Sequence, residues 1–263
     1  MHKHDSKLVI VGINGSRAAL TAAIWAVDEA LSRQLPLRLV YVIPSQGERH
    51  PSARASELEL ERAETVLSAA DVIQAEGKPV QIETAVRSGD PGQVLVDESA
   101  EAALVCVGTA RRGPTSDGLL GPTAAALVGR ARCPVAIIRT NPDGSPARLG
   151  VITVVLDDDP GNDEVVHQAM EEGRRRHATV RQVDRRVDSW VRRYPDVPVE
   201  VVAAGAGARP FDDGGDTRIA DGGNVIGLAV VGEAEAAELP GLVTPNCHPI
   251  LGYPDCSVLL LRH

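Results

Sequence analysis

The sequence alternates between strand and helix patterns, and the alternation restarts after residue 148. Residues 229–232 repeat the pattern of 105–108 at an offset of 124, and residues 256–262 repeat 133–139 at an offset of 123. Two pairs of matching segments with nearly the same offset indicate a duplicated domain. Residues 151–156 and 163–176 likewise repeat the first strand and helix patterns of the chain.

The first half contains five strand patterns and four helix patterns. Strands are predicted at residues 8–13, 37–43, 80–86, 104–108 and 134–138, and helices at 17–33, 56–76, 91–100 and near 122–131. Strands that alternate with helices predict a parallel sheet covered on both faces. Right-handed crossovers make this sheet doubly wound, with a ligand crevice at the carboxyl ends of its strands. Those ends fall at Asn14, Val42 and Gly108.

The domain boundaries follow from composition. Residues 141–148 have the composition of a linker, so the sequence predicts domains at 1–140 and 149–263. The second copy is reduced, because only seven residues separate Arg176 from Asp184, where the next helical pattern is predicted to begin. Its third helix is interrupted by the Gly- and Asp-rich residues 211–217.

Composition excludes several classes of function. Aromatic residues make up 2% of the chain and the net charge is −9, which argues against a nucleic-acid binder. No apolar stretch reaches 18 residues and the N-terminus lacks a signal-peptide core, so we expect no membrane partner and a cytoplasmic location. Residues 1–148 hold 16 basic and 17 acidic side chains, whereas 149–263 hold 11 and 19. A phosphate-bearing ligand is therefore favoured in the first half.

The four cysteines have no metal-site or redox spacing. Cys106, Cys133, Cys247 and Cys256 include no C-x-x-C pair. In a reducing compartment they are predicted to be free, mostly buried thiols.

The loop at residues 108–123 is rich in glycine, leaves a strand and enters a helix. Such a loop lets backbone N–H groups approach an anion, and the following helix N-terminus adds a favourable partial charge. It is not a Walker A loop, because no Gly-Lys-Ser/Thr follows. The alternative interpretation is a flexible surface turn.

The motifs that carry a family resemblance lie mostly in the first half, at residues 11–16, 25–30, 36–40, 89–91 and 108–139. In these motifs the chain resembles a tandem universal stress protein of the actinobacterial kind, and the resemblance is clearest over residues 7–140. The resemblance implies two tandem, open, five-stranded parallel sheets of Rossmann-like type, the second reduced. It also implies ATP binding in many members and pairing through the last strands of two copies.

The phosphate motif of ATP-binding members is Gly-x-x-Gly, nine residues, then Gly-Ser or Gly-Thr. This chain keeps Gly108 and Gly121 at that separation, but Arg111 replaces the second glycine and Pro122 replaces the hydroxyl residue. Pro122 removes a side-chain hydroxyl and a backbone N–H donor. Arg111 either caps a phosphate or fills its space.

Asn14 stands where the resemblance implies an aspartate that contacts adenosine, and Val42 where the backbone meets the adenine edge. Asparagine keeps an acceptor oxygen but loses a charge-assisted bond, about 1 kcal/mol. The alternative is that Asn14 is simply a turn residue. We expect Thr123 or Gly113 to compensate in part for the donors that the changed loop loses. The resulting candidate nucleotide-binding residues are Ile13, Asn14, Val42, Gly108, Arg111, Gly113, Gly121, Pro122 and Thr123.

The second half lacks a comparable loop, since Pro245 stands thirteen residues after Gly232. The acidic residues 157–159 would repel phosphate, and they are better explained as a solvated turn than as a metal site. The Gly-rich residues 205–210 match a dinucleotide fingerprint only by chance, because Pro210 occupies the third glycine position. No metal site and no catalytic motif is predicted, so the chain is not expected to be an enzyme.

We therefore expect a stress-adaptation protein that acts by binding ATP, weakly and only in the first domain, or by binding a protein partner. The first alternative is an interaction scaffold that binds no nucleotide. The second is a slow ATPase, for which no water-activating base or metal ligand is identifiable. The apolar runs from Val135 to Ile138 and from Val258 to Leu261 are predicted to pair as an internal pseudo-dimer, and a further homodimer is compatible with the sequence.

Overall fold

The chain divides into two compact units. Unit 1 contains the described residues up to 110 and residues 120–141, and unit 2 contains those from 151 onward. The computed structural model describes residues 7–44, 61, 63, 64, 66, 68–75, 77–110, 120–141, 151–156, 162–184, 196–203, 226–232 and 257–262.

Unit 1 is a doubly wound α/β sheet, as the alternation predicts. Its strands lie in the order β3-β2-β1-β4-β5, and neighbours pair in parallel. The strands are β1 (Leu8–Ile13), β2 (Leu37–Pro44), β3 (Ile82–Gly89), β4 (Ala102–Ala110) and β5 (Val135–Thr140). The helices are α1 (Arg17–Arg33), α2 (Ala69–Ala75), α3 (Pro91–Glu98) and α4 (Pro122–Arg130).

The core of unit 1 lies on both sides of its central strands. Val9, Ile10 and Val11 of β1 have no exposed surface, and Leu104 and Val105 of β4 are equally buried. Consecutive residues of a strand point to opposite faces, so burial of three in a row requires cover on both faces. This explains why the sequence shows continuous apolar runs rather than alternation.

Unit 2 repeats this arrangement. Its elements are β6 (Val151–Leu156), α5 (Asn162–Arg176), β7 (Val180–Asp184), β8 (Val199–Ala203), β9 (Ile226–Val231) and β10 (Ser257–Leu260). These strands lie in the order β10-β9-β6-β7-β8, again parallel. Read from the other end, this is the strand order of unit 1, with β6 in the place of β1.

The correspondence extends to single residues at an offset of 143. Gln34 ends α1 in a left-handed conformation with φ 55°, and His177 follows α5 with φ 50°. Glu29 and Glu172, also 143 apart, are both completely buried. The two units therefore share details of helix termination and polar burial as well as strand order.

One prediction about unit 2 is wrong. Asp184 does not begin a helix but ends β7, which has five residues where β2 has eight. The strand persists because β7 pairs with β6 on one side and with β8 on the other. Ladder hydrogen bonds on both edges outweigh the local helical pattern. The predicted linker at 142–148 and the interruption at 211–217 lie outside the described residues.

The predicted pairing of the two apolar edge strands stays a prediction. Among the helices of the described residues, none combines the length and the apolar character needed to cross a membrane.

Candidate functional site

The carboxyl ends of three strands in unit 1 form one edge of the sheet. Ile13 of β1 pairs with Tyr41 of β2, and Gly12 pairs with Val107 of β4. One step further along this register, Ile13 is therefore level with Gly108. The strand order changes direction between β1 and β4, and ligands of doubly wound sheets bind in the crevice at such a switch point.

This edge brings together four of the candidate residues, namely Ile13, Asn14, Val42 and Gly108. Ile13 and Val42 are 5% and 8% exposed, so their side chains belong to the core and only their backbone groups face the edge. Asn14 is exposed. Of these four residues, only Asn14 offers a polar side chain to a ligand, and the other three offer backbone groups.

Asn14 has a structural function of its own. Its Oδ1 accepts a hydrogen bond from the backbone N–H of Ser16 at 3.1 Å, across Gly15 with φ 80°. Ser16 is in turn the N-cap of α1, and its Oγ accepts from the N–H of Ala19 at 3.1 Å. The turn interpretation of Asn14 therefore has direct support, although a carboxamide oxygen has a second lone pair for a ligand.

Gly108 allows the first turn of α1 to lie against β4. A Cβ at this position would be 2.0 Å from the carbonyl oxygen of Ala18 and 2.6 Å from the amide nitrogen of Ala19. Both are backbone atoms, which have no rotamer by which to move away. Glycine is therefore required here by packing, whether or not a ligand binds.

The start of α4 is loosely packed in the described part of the chain, in contrast to the close backbone contact at Gly108. Its N-cap is Gly121. Among the described residues, no side chain makes a capping bond there, and no atom lies within 4 Å of a Cβ built on Gly121. Pro122 is the first helical residue, where the helix itself needs no N–H donor. The Ala125 N–H is already bonded to the Gly121 carbonyl oxygen at 2.9 Å. The N–H groups of Thr123 and Ala124 thus remain beyond the reach of the helix's own ladder.

Two candidate residues, Arg111 and Gly113, lie outside the described residues. Their predicted contribution to a phosphate loop stays a prediction. Among the described residues of the chain, no three His, Cys, Asp or Glu side chains are grouped in a way that could hold a metal ion.

Sequence reasoning missed how the start of α3 supports the start of α4. Asp90 caps α3 by accepting from the Gln93 N–H at 2.8 Å, directly after Gly89 with φ 143°. A Cβ on Gly92 would lie 2.9 Å from the Ala126 Cβ and 3.7 Å from the Thr123 Cα. The two helices therefore touch near their first turns. An Asp-Pro pair before an apolar run signals such a helix start.

Comparison with known proteins supports the resemblance. The family model "Universal stress protein family" matches residues 6–139. The universal stress protein Rv2624c of Mycobacterium tuberculosis is 39% identical over 97% of this chain and 96% of its own length.

Two solved structures are similar to this chain, the first over nearly its whole length. The crystal structure of a universal stress protein from Archaeoglobus fulgidus has a TM-score of 0.65 and 13% identity, covering 98% of this chain and 97% of that one. A shorter universal stress protein, solved in complex with cAMP, covers 50% of this chain and 96% of its own at a TM-score of 0.41 and 24% identity. The family model matches residues 6–139, and Rv2624c is similar to this chain over nearly the whole length of both proteins. The chain therefore belongs to the universal stress protein family as a tandem member.

Proposed function

We propose that this chain acts in stress adaptation by binding an adenine nucleotide weakly at the carboxyl edge of unit 1. The observation that carries the proposal is the start of α4, where no atom of the described residues lies within 4 Å of a Cβ built on Gly121 and none of their side chains caps the helix. Unsatisfied N–H groups at a helix N-terminus attract phosphate. The neighbouring edge at Ile13 and Val42 offers backbone groups for an adenine ring.

The same residues explain why the binding is proposed to be weak. Pro122 withdraws one N–H from the group of donors at α4. The Asn14 side chain already accepts from Ser16 and carries no charge for the ligand to exploit. Losing two or three ordinary hydrogen bonds weakens a ligand about ten- to several-hundredfold. The positive charge of Arg111 is proposed to offset part of this loss.

Titration calorimetry with ATP tests the proposal. The wild type should bind weakly, and the triple change Asn14→Asp, Arg111→Gly, Pro122→Ser should strengthen binding by at least about tenfold. Pro91→Ser is the matched control, because Pro91 is also the first helical residue of its helix, α3, but Asp90 already caps that helix. The control should leave the affinity unchanged. Tight wild-type binding that the triple change weakens would contradict the proposal and make Arg111 a phosphate ligand.

A second candidate function is an interaction scaffold that binds no nucleotide. It is favoured by the structural explanations already available for two motif residues. Gly108 is needed by the backbone of Ala18, and Asn14 is needed by the turn that leads to Ser16. If neither the wild type nor the triple variant takes up ATP, the scaffold is the better account of the chain.

A further inference from the structure

Strand β3 is the outer strand of unit 1 on the side away from β4. Within the described part of the chain, its only strand partner is β2. Its eight residues, Ile82–Gly89, contain no proline. Such an edge presents N–H and C=O groups that can pair with another strand.

The register with β2 shows which groups of β3 face outward. Leu37 is level with Ile82, and the Leu37 N–H donates to the Gln81 carbonyl at 2.8 Å. In a parallel ladder alternate residues bond to the same neighbour. Odd-numbered residues of β3 therefore bond to β2, whereas the main-chain groups of 82, 84, 86 and 88 point away from it. In agreement, the Val86 carbonyl accepts from the Arg87 guanidinium at 3.2 Å.

The side chains on one face of this edge carry alternating charge. Glu83 and Arg87 share a face, with the small Ala85 between them. Their side chains are 34% and 43% exposed. Each already has a partner in the same chain, since Arg38 donates to Glu83 and Arg87 donates to Glu98.

Both charged groups still have bonding capacity. Arg38 donates twice to Glu83, at 3.0 and 2.8 Å, and both bonds go to Oε2. The carboxylate therefore keeps Oε1 for another donor. The Arg87 guanidinium uses Nε for Glu98 and Nη1 for the Val86 carbonyl, out of five N–H groups.

We propose that β3 pairs antiparallel with β3 of a second copy of this chain, about a two-fold axis at Ala85. In this register Thr84 of each copy exchanges main-chain hydrogen bonds with Val86 of the other. The Val86 carbonyl, which already accepts from Arg87, uses its second lone pair for the Thr84 N–H. Glu83 of each copy then lies directly opposite Arg87 of the other, in a pair without main-chain hydrogen bonds, where side chains approach most closely. The small Ala85 lets the strands meet at the axis.

Charge complementarity selects this register over its neighbours. The outward main-chain groups belong to the even-numbered residues. A two-fold axis that pairs them must therefore pass through a residue and not between two residues. Centring on Thr84 places Glu83 opposite Ala85, and centring on Val86 places Arg87 opposite Ala85. Of these three axes, only the one at Ala85 places Glu83 of one copy opposite Arg87 of the other. By symmetry this ion pair forms twice in the dimer.

Sedimentation equilibrium of the full chain, with charge variants, tests the proposal. The wild type should self-associate, and Glu83→Arg or Arg87→Glu should each weaken association by roughly tenfold to a hundredfold, because each places like charges opposite one another twice. An equimolar mixture of the two variants should recover the wild-type affinity as a heterodimer. Both variants lose an ion pair within their own chain, so mixing cannot restore association by repairing the fold of either.

A backbone variant provides an independent test. Thr84→Pro removes an outward N–H that β2 does not use, so it should abolish association and leave the circular dichroism and thermal midpoint of the monomer nearly unchanged. A wild type that remains monomeric at about 1 mM overturns the proposal. So does a dimer that survives Thr84→Pro, or variants that stay monomeric when mixed.

Discussion

The backbone of Ala18 lies where a side chain on Gly108 would have to be. A Cβ on Gly108 would be only 2.0 Å from the Ala18 carbonyl oxygen. The glycine that begins the predicted phosphate loop is thus also the residue at which α1 packs closely against β4. Loss of nucleotide binding in a Gly108 variant would therefore report on folding before it reported on a ligand.

We predict that Gly108→Ala lowers the free energy of unfolding by at least about 2–3 kcal/mol, because the helix backbone has to shift. Gly129→Ala is the matched control. Gly129 lies within α4, and in the part of the chain that the structure describes a Cβ there meets no atom within 4 Å. This change should be neutral or stabilising by up to about 1 kcal/mol. Urea denaturation of both variants measures the difference, and equal midpoints would refute the packing role.

We predict that Glu172→Ala destabilises the protein by about 2–4 kcal/mol. Glu172 is completely buried and accepts from Arg175 Nη1 at 2.5 Å and Arg176 Nε at 2.7 Å. Its loss removes the carboxylate from Arg176, whose side chain is only 6% exposed. Glu171→Ala is the control, because Glu171 binds the exposed Arg174 and should cost less than about 1 kcal/mol. Similar losses in the two variants would argue against a buried ion cluster.

We predict an acid-dependent contribution from Asp196. Arg174 donates hydrogen bonds to its carboxylate at 2.5 and 3.0 Å and holds the pKa of Asp196 below its usual range. A lowered pKa means that the folded state favours the charged form. The stability gained is present above the unfolded pKa of about 3.9 and is lost as the pH falls through the lower folded value.

The check is the unfolding free energy of the wild type minus that of Asp196→Asn, followed from neutral to acid pH. The difference should be small, because the pair is exposed, and should vanish in acid. A difference that persists unchanged at low pH would exclude the ion pair as its source.

We predict that Cys106 and Cys133 react slowly with a thiol reagent in the native protein. Both are buried thiols, at 0% and 5% exposure, whereas Cys247 and Cys256 lie outside the described residues. Modification requires local opening of β4 or of the chain before β5. Ellman titration before and after addition of denaturant counts the thiols that react in the native and in the unfolded protein. Fewer than four thiols after denaturation, without oxidant, would show a disulfide.

The sequence alone was sufficient for the parallel, doubly wound sheet of unit 1 and for the existence of a repeat. Continuous apolar runs predicted buried parallel strands, and Ser16 predicted the start of α1. These inferences succeed because they depend on local periodicity and capping chemistry. Family resemblance, carried by residues such as Gly108 and Gly121, was confirmed by the comparisons.

Tertiary structure alone decided the structural roles of two motif residues, Asn14 and Gly108. The close approach of Ala18 to Gly108 joins residues 90 positions apart, and no pattern in the sequence records it. The burial of Glu29 and Glu172 is likewise invisible in the sequence, where each reads as a charge on a helix. Asp184 was misassigned because its strand depends on neighbours on both sides. Local sequence specifies which elements form, whereas contacts between distant residues specify which side chains are left for a ligand.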